Sequence, residues 1–243
     1  MENEFQRIVG VIPARLNSVR FPRKILAPIN GSPMVMSVAE RALQAQLLDE
    51  VIIAVDSEEV LRKLKNSRIK VVMTSIEHNS GSDRVAEVVK EQDVEIVVNI
   101  QGDEPMLDPV IIDKMVNEFR DTEVQMVTSV STEITPEDFL DSNIVKVLLD
   151  EHRNAIVFQR NLKEETTGGW YRHIGVYAFR KETLLSFTSL PQSINEQKFG
   201  LEQLRALDNG IPIRAVVTHY PYRGVDTEKD MEAVLQMCEV AKS

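Results

Sequence analysis

Ile8-Val9-Gly10-Val11-Ile12 runs directly into Pro13-Ala14-Arg15-Leu16-Asn17-Ser18-Val19-Arg20-Phe21-Pro22-Arg23-Lys24. No polar residue alternates with the apolar ones in the first stretch, so it reads as a strand buried on both faces, the signature of a parallel sheet covered by helices. Val51-Ile52-Ile53-Ala54-Val55, Lys70-Val71-Val72-Met73 and Glu95-Ile96-Val97-Val98-Asn99 are runs of the same kind, separated by segments with helical period. The expected fold is therefore doubly wound α/β with a mostly parallel sheet.

The intervening helices have readable starts. Ser32 before Pro33, Ser57 before Glu58-Glu59 and Asp108 before Pro109 each place an N-cap residue ahead of an apolar period. Val35, Val38, Ala39, Ala42 and Leu43 then share one helix face, as do Ile111, Ile112, Met115 and Phe119, and both faces are expected in the core. Beyond about residue 121 the pattern changes. Met126 to Val130, Ile144 to Leu149 and Ile174 to Phe179 read as strands without regular helices between them, which predicts antiparallel additions to the sheet. Glu196 to Leu207 and Glu228 to Val240 read as closing helices. No repeat, low-complexity tract or linker divides the chain, so one domain over 1–243 is expected.

Composition narrows the partners. A formal net charge of -10 argues against general affinity for nucleic acid or an anionic membrane. A polyanionic ligand would then need a local basic patch or a metal ion. Cys238 is the single cysteine, which leaves no intrachain disulfide and fits a reducing cytosol. The opening Met1-Glu2-Asn3-Glu4-Phe5 lacks the basic and apolar pattern of a leader, and no apolar run approaches the roughly 20 residues of a spanning helix. A cytoplasmic location without membrane insertion is the expectation.

Ligands of open parallel sheets bind outside the carboxyl ends of the strands, so the loops after the strands hold the candidates. The first loop carries Arg15, Arg20, Arg23 and Lys24 within ten residues, a concentration suited to phosphate oxygens and equally compatible with a solvated basic loop. It lacks the glycine pattern of a P-loop. Asn99-Ile100-Gln101-Gly102-Asp103-Glu104-Pro105 ends another strand. Gly102 permits close backbone approach there, and Asp103 and Glu104 offer oxygen ligands of the kind Mg2+ takes, or else an ordinary turn with an Asp cap. In Gly224-Val225-Asp226-Thr227, Asp226 reads either as a second metal ligand or, with Thr227, as the cap of the last helix. His78-Asn79-Ser80-Gly81-Ser82-Asp83-Arg84 opens a helix whose apolar face is Val85, Val88 and Val89; its free N–H groups and hydroxyls suit a base or a phosphate, or else the segment is simply a well-capped helix start.

Taken in order, Ile12-Pro13-Ala14-Arg15, Arg20-Phe21-Pro22-Arg23-Lys24, Ser80 to Arg84, Val98 to Pro105, His173-Ile174-Gly175-Val176-Tyr177, Leu201-Glu202-Gln203-Leu204-Arg205 and Gly224-Val225-Asp226 resemble the 3-deoxy-manno-octulosonate (Kdo) cytidylyltransferase family over essentially the whole chain. The resemblance implies a nucleotide-diphospho-sugar-transferase fold, a homodimer, Mg2+ as cofactor, and CTP and Kdo as substrates joined into CMP-Kdo for lipopolysaccharide biosynthesis. It assigns about 1–125 to the nucleotide, about 126–220 to a sugar-side and dimerisation lobe, and about 227–241 to a closing helix. By position it implies Arg15, Lys24, Asp103 and Asp226 as catalytic residues, with Asp103 and Asp226 on the metal. Pro13, Ala14, Arg15, Arg20, Lys24, Ser80, Gly81, Arg84, Gln101 and Asp103 fall to the nucleotide; Gln101, Arg160, His173, Tyr177 and Glu202 fall to the sugar.

The chain departs from the family's usual pattern at three positions: Arg23, where Gly usually precedes the lysine; Gln159, where Ser is usual; and Phe199, where Glu is typical. The last two keep open a cytidylyltransferase for another acidic sugar, such as an amino-substituted Kdo or a nonulosonate. A glycosyltransferase on a similar fold is the alternative of another class, but no Asp-x-Asp motif ends a predicted central strand.

Overall fold

The structure is a computed structural model that describes residues 5–18, 20–162, 168–220 and 224–240. Two compact units make up the chain, Met1–Asp113 with Arg223–Ser243, and Lys114–Tyr222. The first unit runs through β1 (Ile8–Ala14), β2 (Pro28–Ile29), β3 (Ser32–Pro33), α1 (Met34–Ala42), β4 (Glu50–Val55), α2 (Glu58–Leu64), β5 (Lys70–Met73), α3 (Gly81–Val89) and β6 (Ile96–Asn99), with α4 (Pro109–Glu118) following. In the second unit the order is β7 (Met126–Ser131), α5 (Pro136–Leu140), β8 (Lys146–Leu149), β9 (Ala155–Gln159), β10 (Trp170–Arg180), α6 (Lys181–Ser189), α7 (Ile194–Phe199), α8 (Leu204–Asp208) and β11 (Ile213–Thr218). The chain then returns to the first unit as α9 (Glu228–Val240).

In the first unit the strands lie in the order β6-β1-β4-β5, all parallel. The side chains of Ile8, Val9, Ile12, Ile52, Ile53, Ile96 and Val97 have no exposed surface. Full burial of such a side chain contributes about 1.5–3 kcal/mol, more than any local propensity, and this is why the unbroken apolar runs become the inner strands. The strand order reverses beside β1: the chain leaves toward β4 and β5, then returns on the other flank as β6. A crevice therefore opens at the carboxyl ends of β1 and β6, where their loops diverge.

The last helix closes this unit. Met231 and Val234 pack with Val225, Ile29 and Met34 in one buried cluster. The second unit orders its strands β11-β7-β10-β8-β9, with β11 parallel to β7 and the other pairs antiparallel. The antiparallel additions expected beyond residue 121 are thus present.

Several local expectations are corrected. Ser32 and Pro33 do not start a helix; they pair with Ile29 and Pro28 as a short hairpin, and α1 begins at Met34 with no side-chain cap. Leu43 lies beyond the buried face of α1 and is 47% exposed. The segment from Glu196 to Leu207 is two helices, because Gly200 adopts φ 62 and stops the first of them. Left-handed backbone costs a non-glycine residue about 1–2 kcal/mol, so glycine is suited to that break. Strands β9 and β11 are not among the expected strands: β9 is a run of only four apolar residues ahead of Gln159, and Arg214 interrupts the apolar residues of β11.

Candidate active site

A groove of about 250 Å3 occupies the crevice of the first unit. The loop after β1 supplies Pro13, Arg15 and Lys24, the start of α3 supplies Ser80, Gly81 and Arg84, and the loop after β6 supplies Gln101, Gly102 and Asp103. Close approach of the two loops depends on Gly102, where a Cβ would stand 3.3 Å from the Pro13 carbonyl oxygen. Ala14 is fully buried in β1 opposite Val55, and Arg20 points instead to Asp226. Asn17, Ser18 and Asn79 also line the groove. They sit inside loops already singled out, but an amide or hydroxyl beside four cations gives no distinct sequence signal.

Three oxygen acceptors converge on Lys24. Its Nζ donates to Asp103 Oδ2 at 2.5 Å, to the Val225 carbonyl at 3.1 Å and to Asp226 Oδ1 at 3.3 Å. Burial pushes the Lys24 pKa down, and the charges and hydrogen bonds of Asp103 and then Asp226 outweigh it, leaving a net upward shift. Arg20 adds a second cation on Asp226 Oδ1 at 2.9 Å. Asp226 reaches this point because the Val225 N–H donates to the Asp103 carbonyl at 2.9 Å. Capping of the last helix falls to Thr227: its hydroxyl accepts from the Asp230 N–H at 3.3 Å, and the Asp230 carboxylate accepts from the Thr227 N–H at 2.9 Å. The Asp226 carboxylate is thereby spared for the lysine.

Two carboxylates and a carbonyl around one cationic centre form a hard-oxygen donor set, and its chemistry fits Mg2+. Among the described residues no group of three or more His, Cys, Asp or Glu side chains is assembled for a metal. An ion here would therefore draw on these two aspartates and complete its shell with water and substrate oxygens.

The remaining walls are held by their own networks. Ser80 and Asp83 form a reciprocal capping box, which fixes the start of α3 where Ser80 and Gly81 line the groove. Arg84 is 1% exposed, with its guanidinium on Thr74 Oγ1 at 2.5 Å, the Ser75 carbonyl at 3.1 Å and Asp56 at 3.3 Å. It thus braces the wall while contributing positive charge to it. Arg15 donates to the His78 carbonyl at 2.6 Å and so ties the β1 loop to the turn before α3. Gln101 donates through Nε2 to Asn99, leaving its carbonyl oxygen to the groove. Arg23 has φ 60 and pairs with Glu59 outside the groove. That left-handed conformation accounts for the glycine usual at this position in the resembling family.

In the second unit, Arg160, His173, Tyr177 and Glu202 are successive neighbours. The rings of His173 and Tyr177 lie 5.5 Å apart, the charge of Arg160 acts on His173, and that of Glu202 acts on Tyr177. Burial and then Glu202 push the Tyr177 hydroxyl well above its ordinary value. Gln159 and Phe199, two of the unusual positions, line one cavity of about 670 Å3 together with Arg160, Trp170 and Lys198.

Burial, with a further contribution from Arg160, lowers the His173 pKa to about 3. Its Nε2 lies 3.0 Å from Thr128 Oγ1, and that hydroxyl lies 3.0 Å from the Val176 carbonyl across a bulge in β10. If Thr128 donates to the carbonyl, His173 donates from Nε2 and keeps Nδ1 as an acceptor. A folded-state value below the ordinary 6.5 means that the unfolded chain takes up the proton first as pH falls. Stability contributed by the neutral ring is therefore complete above about 6.5 and is lost progressively down to about 3. Urea unfolding at pH 7 and pH 5 is expected to show a smaller acid loss in His173→Gln than in the parent chain. An equal loss in both would refute the assignment.

A parallel sheet whose switch-point crevice combines phosphate-suited cations, a helix N-terminus and paired aspartates defines a nucleotide-handling α/β transferase. The family described as Cytidylyltransferase matches residues 9–214. A 3-deoxy-manno-octulosonate cytidylyltransferase of Lawsonia intracellularis is 44% identical, with 93% of this chain and 91% of that protein covered. One of Solibacter usitatus is 42% identical, with 96% and 94% covered. The chain belongs to the 3-deoxy-manno-octulosonate cytidylyltransferase family. Among solved structures, a CMP:2-keto-3-deoxy-manno-octonic acid synthetase complexed with CTP is similar at 34% identity with a TM-score of 0.91, covering 97% of this chain and 100% of that one. A 4-diphosphocytidyl-2C-methyl-D-erythritol synthase from Anaerococcus prevotii, 14% identical with a TM-score of 0.63, shares the fold.

Proposed function

We propose that the protein activates Kdo with CTP, giving CMP-Kdo and pyrophosphate for lipopolysaccharide biosynthesis. The observation that carries this reading is the meeting of Lys24 with Asp103 and Asp226 in a crevice walled by Arg15 and the start of α3. Arg15 and Lys24 neutralise the triphosphate, aided by Arg20, while Ser80, Gly81 and Gln101 hold the nucleotide. Arg160 takes the sugar carboxylate, and His173, Tyr177 and Glu202 orient its hydroxyls.

The anomeric 2-hydroxyl of Kdo forms a bond to the α-phosphorus as the α–β phosphoanhydride bond breaks, and its proton passes to solvent. Such a displacement needs positioning and charge neutralisation more than covalent help, and the cations of the groove supply both. Asp103 and Asp226 are the residues to hold Mg2+, which when bound neutralises phosphate charge and acidifies a coordinated hydroxyl. His173, kept neutral by its surroundings, serves as a hydrogen-bond acceptor rather than as a base.

A homodimer in the cytoplasm completes the reading. Exposed Leu140, Ile156, Ile194 and Phe199 in the second unit support the dimer, and the single cysteine fits a reducing compartment. No described helix is long and apolar enough to cross a membrane.

Pyrophosphate release should be followed with Mg2+, each of CTP, UTP, ATP and GTP, and either Kdo, an amino-substituted Kdo or a nine-carbon acidic sugar. Release that requires CTP and Kdo together is expected. Release only with another acidic sugar would move the specificity to the cavity lined by Gln159 and Phe199, and silence with every pair would refute the reading.

A further inference from the structure

Lys146 is fully buried, a rare environment for an ammonium group. It opens β8 and lies in register with Gln159 of β9 and Arg172 of β10. Its Nζ donates to two main-chain carbonyls, those of Asp141 and Arg160, each at 2.6 Å. Arg160 in turn donates from Nη1 to the Ser142 carbonyl at 3.1 Å and the Asn143 carbonyl at 3.4 Å, and from Nη2 to the Gly200 carbonyl at 3.4 Å. One ammonium thus grips both the backbone of Arg160 and the turn that carries two of the acceptors of its guanidinium.

That arrangement leaves a defined edge of the arginine for a ligand. A guanidinium has five N–H donors, and among the described residues the three contacts to carbonyls engage Nη1 and Nη2 but not Nε, whose N–H pairs with an Nη2–H as the side-on fork that receives a carboxylate. Direction of the fork depends on where the Arg160 main chain is held. Methionine at 146, one atom shorter and apolar, would fill most of the same space but release both carbonyls.

We propose that Lys146 is a positioning residue for the acidic sugar, acting through Arg160 without touching the substrate. The inference rests on the assignment of Arg160 to the sugar carboxylate. Pyrophosphate release by the full chain, with Kdo and CTP varied separately, should be compared for the parent protein, Lys146→Met, Arg160→Ala and the double variant, with melting temperatures for each. Lys146→Met is expected to raise KM for Kdo about tenfold, the effect of a misdirected charge-assisted hydrogen bond, while KM for CTP stays within about twofold. The double variant is expected to match Arg160→Ala alone, because a residue that acts only through Arg160 has nothing further to lose.

An unchanged Kdo KM in Arg160→Ala would overturn the sugar assignment itself. A raised value in Arg160→Ala with an unchanged value in Lys146→Met would overturn only the positioning role. Additive effects, or equal changes in both KM values alongside a lower melting temperature, would reduce Lys146 to a structural residue. Should Lys146→Met fail to fold, Lys146→Gln, which keeps a terminal amide donor, carries the same comparison with a smaller expected rise in KM for Kdo.

Discussion

Asp103→Asn is expected to lower kcat for CMP-Kdo formation by about three orders of magnitude, at the upper end of what loss of one preorganised electrostatic group costs. Asn is nearly the same size, so the change removes charge and leaves the shape of the β6 loop. Two consequences follow from the geometry. Lys24 keeps only Asp226 as a charged partner of the two it now contacts, and the hard-oxygen set loses the carboxylate that lies 2.5 Å from the ammonium. Asp226→Asn is expected to act in the same direction. A variant at either position that retains more than a tenth of the parent rate would exclude that aspartate from the catalytic set. Because Asp103 sits at a loop mouth with a side chain 29% exposed, its melting temperature is expected to change little, which separates lost chemistry from lost structure.

Glu196→Ala is expected to destabilise the second unit strongly. Glu196 and Arg205 form a two-pronged pair at 2.6 and 2.8 Å, with side-chain exposures of only 6% and 4%. The guanidinium also lies over the Phe187 ring, 4.9 Å from its centre. Removing one member of such a pair strands the other charge in a poorly solvated site, at a cost of roughly 3–5 kcal/mol. For a protein of this size that corresponds to a fall of about 10 °C in melting temperature. Replacing both residues by Met is expected to cost less than Glu196→Ala alone, because no charge is then left behind. Equal or greater loss in the double variant would show that the packing of α7 and α8, rather than the ion pair, carries the stability.

The same pair shows how a small error in reading a helix hides a structural feature. In one continuous helix, residues nine apart are rotated by about 900° and face opposite sides, so Glu196 and Arg205 have no reason to meet. The left-handed turn at Gly200 ends the first helix and folds the second back, bringing them together. Gly200 alone is a weak local signal, whereas a half-turn of helix is enough to decide the contact. The buried Lys146 was equally hidden: within Ile144 to Leu149 it reads as the polar member of a strand, and only the turns at Asp141 and Arg160 supply its acceptors.

The parallel strands of the first unit, the polar loops at their carboxyl ends and the cap at the start of α3 were legible in the amino-acid sequence by itself. Each depends on a pattern within about ten residues: two-sided burial of an apolar run, a cluster of cations, or Ser followed three positions later by Asp. The sequence also carried enough ordered motifs to indicate the family. Tertiary structure decided that the Asp226 carboxylate faces Lys24 and does not cap the last helix. Asp103 and Asp226 are far apart along the chain, and Thr227 offered an equally good cap by composition. Only the packing of α9 and the hydrogen bond from Val225 to Asp103 bring the second carboxylate to Lys24. Burial leaves its periodicity in the chain, but where two distant polar groups meet is set by how the buried surfaces close.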